Sequence, residues 1–353
     1  MTPVDPRLAA LRQWLAAELA IDAESVEPAS ADASFRRYFR VQLRDGTTRI
    51  AMDAPPDKED IGPYLRVGAL LHAADVRVPA VYAVERERGF VLLEDFGCTP
   101  FLGEVRRADR HERLYPRALE ALCGLQVRAA DSIGQLAPYD AAVLQREMAL
   151  MPEWFCARHL QHELAASERA LLAETFDFLT AAALEQPRVF VHRDYHSRNL
   201  MVLPGDELGI IDFQDALAGP VGYDLVSLLK DCYVSWPRSR VEAWVQAHRA
   251  ALLGAGRADL AGASEAQFLR WFDLIGVQRH VKVLGIFARL CWRDGKPGYL
   301  DDLPLTLQYV LDACTRHPEL ARFGAWLDRE AAPALAAANE RARAHRAQGN
   351  LRR

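Results

Sequence analysis

Behind Asp5-Pro6, the apolar residues Leu8, Leu11, Leu15 and Leu19 recur at helical spacing, predicting a capped amphipathic helix with Pro6 in its first turn. From Ser34 to Ala54 the period shortens. Tyr38, Phe39, Val41 and Leu43, then Asp45-Gly46, then Ile50 and Met52 predict a β-hairpin that Pro55-Pro56 ends. A helical stretch from Gly62 to Ala74 carries Leu65, Leu70 and Leu71, and short strands follow around Val81–Val84 and Phe90–Leu93. Residues 1–95 are thus expected to form a small sheet with a helix across it. After Gly97 the pattern becomes helical over roughly 104–130, 141–150 and 167–185. One dense interruption follows. Arg188–Val191 and Leu200–Leu203 are β-runs flanking a polar stretch, and after the Pro204-Gly205 turn a third strand, Leu208–Ile211, ends at Asp212. Helices resume from Asp224. The expected fold class is α+β with two lobes: a sheet-rich lobe over 1–95, and a mostly helical one over 96–353 that carries a catalytic loop at 190–214.

Composition narrows the partners. Half of the 353 residues are hydrophobic, enough for sizeable cores, and a net charge of -5 without a basic stripe argues against nucleic acid. No uninterrupted apolar run reaches the ~18–20 residues of a spanning helix. Asp5, Arg7 and Arg12 break the apolar core that a signal peptide would need. A cytoplasmic protein, monomeric and acting away from membranes, is expected. The six cysteines form no Cys-x-x-Cys pair and read as reduced thiols. His159 and His162 lack the spacing of a zinc-hydrolase helix, so no zinc site is expected.

The segment His192-Arg193-Asp194-Tyr195-His196-Ser197-Arg198-Asn199, followed by Ile211-Asp212-Phe213-Gln214, suits phosphoryl transfer. Such chemistry needs a carboxylate to receive the proton of the attacking hydroxyl and hard oxygen ligands to hold Mg²⁺ against phosphates. Asp194 fits the base. Asn199 and Asp212 fit the metal ligands, and His192 a brace for the loop.

On these residues the chain resembles the aminoglycoside phosphotransferase and choline kinase branch of the protein-kinase-like fold, along nearly its whole length. That resemblance implies ATP in a cleft beside a hinge at Leu92-Leu93-Glu94-Asp95-Phe96-Gly97, with Glu94 and Phe96 at the nucleotide and Asp224 bracing the catalytic loop. Ser34-Phe35-Arg36-Arg37-Tyr38-Phe39-Arg40, Met52-Asp53-Ala54-Pro55-Pro56 and Gln278-Arg279-His280-Val281-Lys282 are similar to the bacterial kinases that phosphorylate the anomeric hydroxyl of N-acetylmuramate and N-acetylglucosamine in peptidoglycan recycling. The implied product is a sugar 1-phosphate.

One departure stands out. The lysine usual on the third strand is missing from Arg49-Ile50-Ala51-Met52-Asp53, and no Gly-x-Gly-x-x-Gly loop exists. Arg37 or Arg40, with backbone near Ser34, is expected to neutralise the phosphates instead. For the acceptor, Tyr195, His196 and Gln214 flank the catalytic groups, and Arg279 or His280 could pair with the lactyl carboxylate of N-acetylmuramate. A solvated face, or salt bridges to Asp231 or Asp294, is the competing reading. Two other functions compete: an antibiotic or small-alcohol phosphotransferase, whose polycationic acceptors would want an acidic pocket, and a non-catalytic nucleotide-binding pseudokinase. Trp236, Trp244, Trp271 and Trp292 could box a choline-type ammonium but read better as core.

Overall fold

A computed structural model describes residues 5–21, 23–31 and 35–350. Among them the chain divides into two compact units, one of residues 1–107 with 198–215, the other of 108–197 with 216–353.

The first unit is built on a five-stranded antiparallel sheet in the order β1-β2-β3-β5-β4, with β1 Ala23–Ala31, β2 Arg37–Leu43, β3 Thr48–Asp53, β4 Val81–Glu85 and β5 Phe90–Glu94. The expected hairpin is β2–β3. Gly46, at a φ of 83°, supplies the left-handed turn residue. β1 had no counterpart in the sequence reading because Pro28 and a polar composition hide it; it survives as an edge strand with register shifts beside that proline. On one face Phe39, Val41, Ala51, Phe90 and Leu92 pack with Leu11, Trp14 and Leu15 of the N-terminal segment. There Asp5 caps the helix Pro6–Gln13 by accepting from Arg7 N and Leu8 N, and a π-turn at Trp14–Glu18 finishes the expected helix.

This unit also receives the hairpin of β7 (Leu200–Val202) and β8 (Leu208–Ile210). Gly209 makes that docking possible. A Cβ at this position would run into the Phe96 ring.

The second unit surrounds one helix, Glu265–Trp292, whose 28 residues span about 42 Å. It is mostly apolar, with Asp273 buried near its start and Gln278, Arg279, His280 and Lys282 all buried in its middle. The helices Ala141–Met148, Ala166–Leu184 and Leu303–Cys314 pack against it, as does a π-helical stretch, Met151–Leu160. A two-stranded ladder joins β6 (Arg188–Val191) to β9 (Leu217–Pro220). β9, whose Leu-Ala-Gly-Pro run carries little strand propensity, had no sequence counterpart.

At Gly285 the long helix passes so close to residue 150 that an added Cβ would collide with the Leu150 backbone. Helix propensity alone would make alanine better here by about 1 kcal/mol, but a backbone clash cannot be relieved by a rotamer change and costs about 3 kcal/mol. Gly285→Ala is therefore expected to destabilise the protein by about 2 kcal/mol, read as a lower urea midpoint; an unchanged or higher midpoint would show that the helix can shift.

Candidate active site

In the second unit β6 delivers the chain into the loop at 192–197. His192 is fully buried, and the backbone N–H groups of His192 and Arg193 donate to the two oxygens of Asp224 at 2.6 and 2.9 Å. This grip holds Arg193 at a φ of 76°, a conformation that a branched or bulky residue adopts only when its surroundings fix it. The next turn is closed by Asp194 N donating to His192 Nδ1 (3.2 Å) and His196 N donating to the Asp194 carbonyl (2.9 Å). Asp231 then accepts from Ser197 N at 2.9 Å and Tyr233 N at 3.0 Å. The loop thus hangs from two buried aspartates. Asp194 itself remains partly accessible.

Four positive or protonatable groups face that carboxyl. Burial pushes the Asp194 pKa up, but Lys282, His196, Arg279 and Arg193 together hold it below the ordinary aspartate value. Two of these cations share Glu147, a buried carboxylate. Arg193 and Tyr139 both donate to it, and Lys282 Nζ lies 2.9 Å away while also donating to the Tyr223 hydroxyl at 3.1 Å. Arg279 is different. It is 4% exposed, and its Nε and Nη1 have no hydrogen-bond partner among the described residues.

In the first unit β7 and β8 carry the second polar set. Asp212 leaves β8 at a φ of 65°, accepting from Asn199 Nδ2 (3.3 Å) and Gln214 Nε2 (3.0 Å), with Arg36 Nη2 at 3.4 Å. Its carboxylate and the amide oxygen of Asn199 are hard donors of the kind Mg²⁺ takes when phosphates and water complete its shell. Among the described residues no cluster of three or more His, Cys, Asp or Glu could hold a metal by itself.

The other residues named from the sequence have these places. Tyr195 is fully buried, its hydroxyl donating to the Ala118 carbonyl at 2.9 Å, because the alternation that keeps Asp194 and His196 partly accessible turns it inward. Successive helix residues differ by about 100° in direction, so Arg279 and His280 face different neighbours. His280 stacks on Tyr309 with Nε2 2.9 Å from the Lys230 carbonyl, and burial with Arg279 nearby pushes its pKa down to about 3. Arg37 is bound to Asp5 and Asp53, Arg40 to Asp95, and the Glu94 side chain to Arg77. Phe96 lies under Arg77. Ser34 lies outside the described residues. Gln214 donates to Asp212 and Asp215. His159 and His162 bond separately to Asn339 and Glu168, and Trp271 is core.

Comparison with known proteins fits this geometry. The sequence pattern of the family described as "Phosphotransferase enzyme family" matches residues 25–269. The chain belongs to that family. Among its relatives, a protein of Pseudomonas aeruginosa named "N-acetylmuramate/N-acetylglucosamine kinase" is 49% identical over 297 residues, covering 84% of this chain and 86% of the relative. A protein of the same name from Pseudomonas putida is 43% identical over 330 residues, covering 91% and 95%. Of solved structures, an ethanolamine kinase of Plasmodium vivax superposes with a TM-score of 0.62 at 11% identity, covering 88% of each chain, which shows the shared protein-kinase-like fold. This phosphotransferase is therefore an α+β protein with a sheet-rich part and a mostly helical part, as its sequence implied. No helix among its described residues is long and apolar enough to cross a membrane.

Sequence reading missed Glu147, and named Asp231 only as a salt-bridge partner, not as a support of the loop. Glu147 reads as an ordinary surface residue of an amphipathic helix, and only the buried partners on a distant helix reveal it. The one available signal was the run Gln278-Arg279-His280-Val281-Lys282 inside a mostly apolar helix, since buried charges require buried counter-charges.

The Asp224 grip is testable. An amide in place of this carboxylate would turn an N–H₂ towards one of the two backbone N–H groups, so Asp224→Asn is expected to lose about 2–3 kcal/mol of stability and to free the 192–197 loop. Chemical denaturation and amide exchange at His192 and Arg193 measure both, and wild-type protection at these amides would refute the role.

Proposed function

We propose that this phosphotransferase moves the γ-phosphoryl group of ATP to the anomeric hydroxyl of N-acetylmuramate and N-acetylglucosamine, releasing ADP and the sugar 1-phosphate for peptidoglycan recycling in the cytoplasm. The observation that carries the reading is the 49% identity over most of the chain to a protein bearing that activity's name. Asp194 receives the proton of the sugar hydroxyl as its oxygen attacks phosphorus. Its depressed pKa makes it a carboxylate throughout the neutral range, and the charges that depress it also orient it. Asn199 and Asp212 would hold Mg²⁺, which when bound offsets the negative charge on the phosphates. His196, two residues from the base, and Arg279 serve the acceptor.

The acceptor side is basic. Lys282, His196, Arg279 and Arg193 all bear on Asp194, which disfavours a polycationic antibiotic and favours an acceptor that is neutral or anionic. Two buried donors of Arg279, Nε and Nη1, are unmatched among the described residues, and a carboxylate, the group that distinguishes N-acetylmuramate from N-acetylglucosamine, would give one of them a charge-assisted hydrogen bond.

Incubation with ATP and Mg²⁺ against N-acetylmuramate, N-acetylglucosamine, choline and kanamycin, followed by phosphorus NMR, is expected to give an anomeric phosphate with the two sugars alone. Transfer only to kanamycin or choline would overturn the assignment. Asp194→Asn is expected to lower kcat about 10³-fold. Because the active form is the carboxylate and its pKa is lowered, activity owed to Asp194 is present above that pKa and lost only as pH falls below the ordinary aspartate range. A kcat/KM profile should therefore show no Asp194 limb between about pH 5 and 7.

Arg279→Met separates the two sugars. The KM for N-acetylmuramate is expected to rise about 10- to 100-fold while that for N-acetylglucosamine moves less than about threefold. Equal rises for both would remove Arg279 from carboxylate recognition.

A further inference from the structure

A nucleoside triphosphate carries more negative charge than one divalent cation offsets, so a kinase of this fold needs a protein cation at the phosphates. The third strand does not supply it: β3 ends in Met52 and Asp53, both fully buried. Asp53 engages Arg7 and Arg37, and Arg40 places its fork on Asp95 at 2.6 and 3.0 Å. Moving Arg40 to a ligand would take the guanidinium from buried Asp95, and moving Arg37 would leave buried Asp53 with Arg7 alone, each a costly exchange.

Arg36 is placed otherwise. It precedes β2, next to Phe35, whose N–H is held by Glu59 Oε1 at 3.1 Å, and its side chain is 11% exposed. Its Nη2 lies 3.4 Å from Asp212 Oδ1, longer than the ~2.7–2.9 Å of a strong charge-assisted bond, and that carboxylate is 31% exposed. It is a loose contact at an accessible oxygen.

We propose that Arg36 is the phosphate-neutralising cation of the nucleotide site, exchanging its contact with Asp212 for phosphate oxygens when a divalent cation engages that carboxylate. The assignment rests on the reading of Asp212 as a metal ligand. It follows from charge pairing: a guanidinium stays ionised at any physiological pH, so once the metal takes up the Asp212 charge, another anion beside Arg36 is favoured. The triphosphate arrives together with the metal and supplies one. The carboxylate released in this exchange, Asp212, is 31% exposed, whereas Asp53 and Asp95, which hold Arg37 and Arg40, are 0% and 2% exposed.

Calorimetric titration of wild type, R36M and R36K with ATP, ADP and adenosine, each with Mg²⁺, tests this without any acceptor. R36M is expected to weaken ATP and ADP about 10- to 100-fold while adenosine changes less than about twofold, and R36K to recover part of the loss. Unchanged ATP binding, or equal losses for ATP and adenosine, would overturn the proposal. Should R36M melt early, R36Q carries the same comparison. A wild-type protein that binds none of the three would overturn the kinase reading itself, and the assignment with it.

Discussion

A carboxylate cannot be buried without counter-charges, and in the second unit Glu147 imposes that requirement on everything near the catalytic loop. Its partners come from separate places: Arg193 from the loop, Tyr139 from the segment preceding its own helix, and Lys282 from the middle of the long helix. Burial would push the Glu147 carboxyl up, yet Lys282 and Arg193 hold it below the ordinary glutamate value. Removing one of the two cations would leave a poorly compensated charge in a low-dielectric interior, at a cost of about 3–5 kcal/mol. The network therefore fixes where Arg193 and Lys282 lie. The same two cations then act on Asp194, so the electrostatics of the base follow from the packing of the core.

The first unit applies the rule to a different end. Asp53 stands where phosphotransferases of this fold usually place the third-strand lysine or next to it, and it is neutralised by Arg7 of the N-terminal helix and Arg37 of β2. Asp5 binds Arg37 as well while capping that helix. These contacts clamp the N-terminal helix to the sheet. Asp212, by contrast, is 31% exposed, and two neutral amides and a guanidinium at 3.4 Å are among its partners.

How much of this the chain announces depends on the range of the interaction. Local signals were legible: the Asp5-Pro6 cap, the Asp45-Gly46 hairpin, the helix at 62–73 and the two strands that follow it, and the strand ends that carry Asp194 and Asp212. Each depends on residues a few positions apart. β1 and β9 escaped because their strands are specified by partners, Phe39 and Val41 for one and Val189 to Val191 for the other, rather than by their own composition, which contains proline in both and glycine in β9. The site divided in the same way. The loop's motif was visible, but the engagement of Arg37 and Arg40 was not, because alternation along a strand does not say which carboxylate waits opposite. Those carboxylates, Asp53 and Asp95, lie 16 and 55 residues away.

Periodicity also misled within the long helix. Arg279, His280 and Lys282 look like one basic cluster, yet a single helical step separates residues that are satisfied from one that is not. His280 is neutral and bonded, and Lys282 is paired. Arg279 keeps its charge against burial, with the carboxylates of Asp194 and Asp231 among the groups that favour it, while two of its nitrogens stay unmatched among the described residues. Each buried unmatched donor costs about 1–3 kcal/mol, which a fold under selection for stability alone would remove by substituting a long apolar chain. An arrangement that retains this cost next to its catalytic carboxylate gains from it when an incoming group accepts from one of those donors. An anion does so more strongly than a neutral hydroxyl or amide oxygen, because the bond is then assisted by both charges.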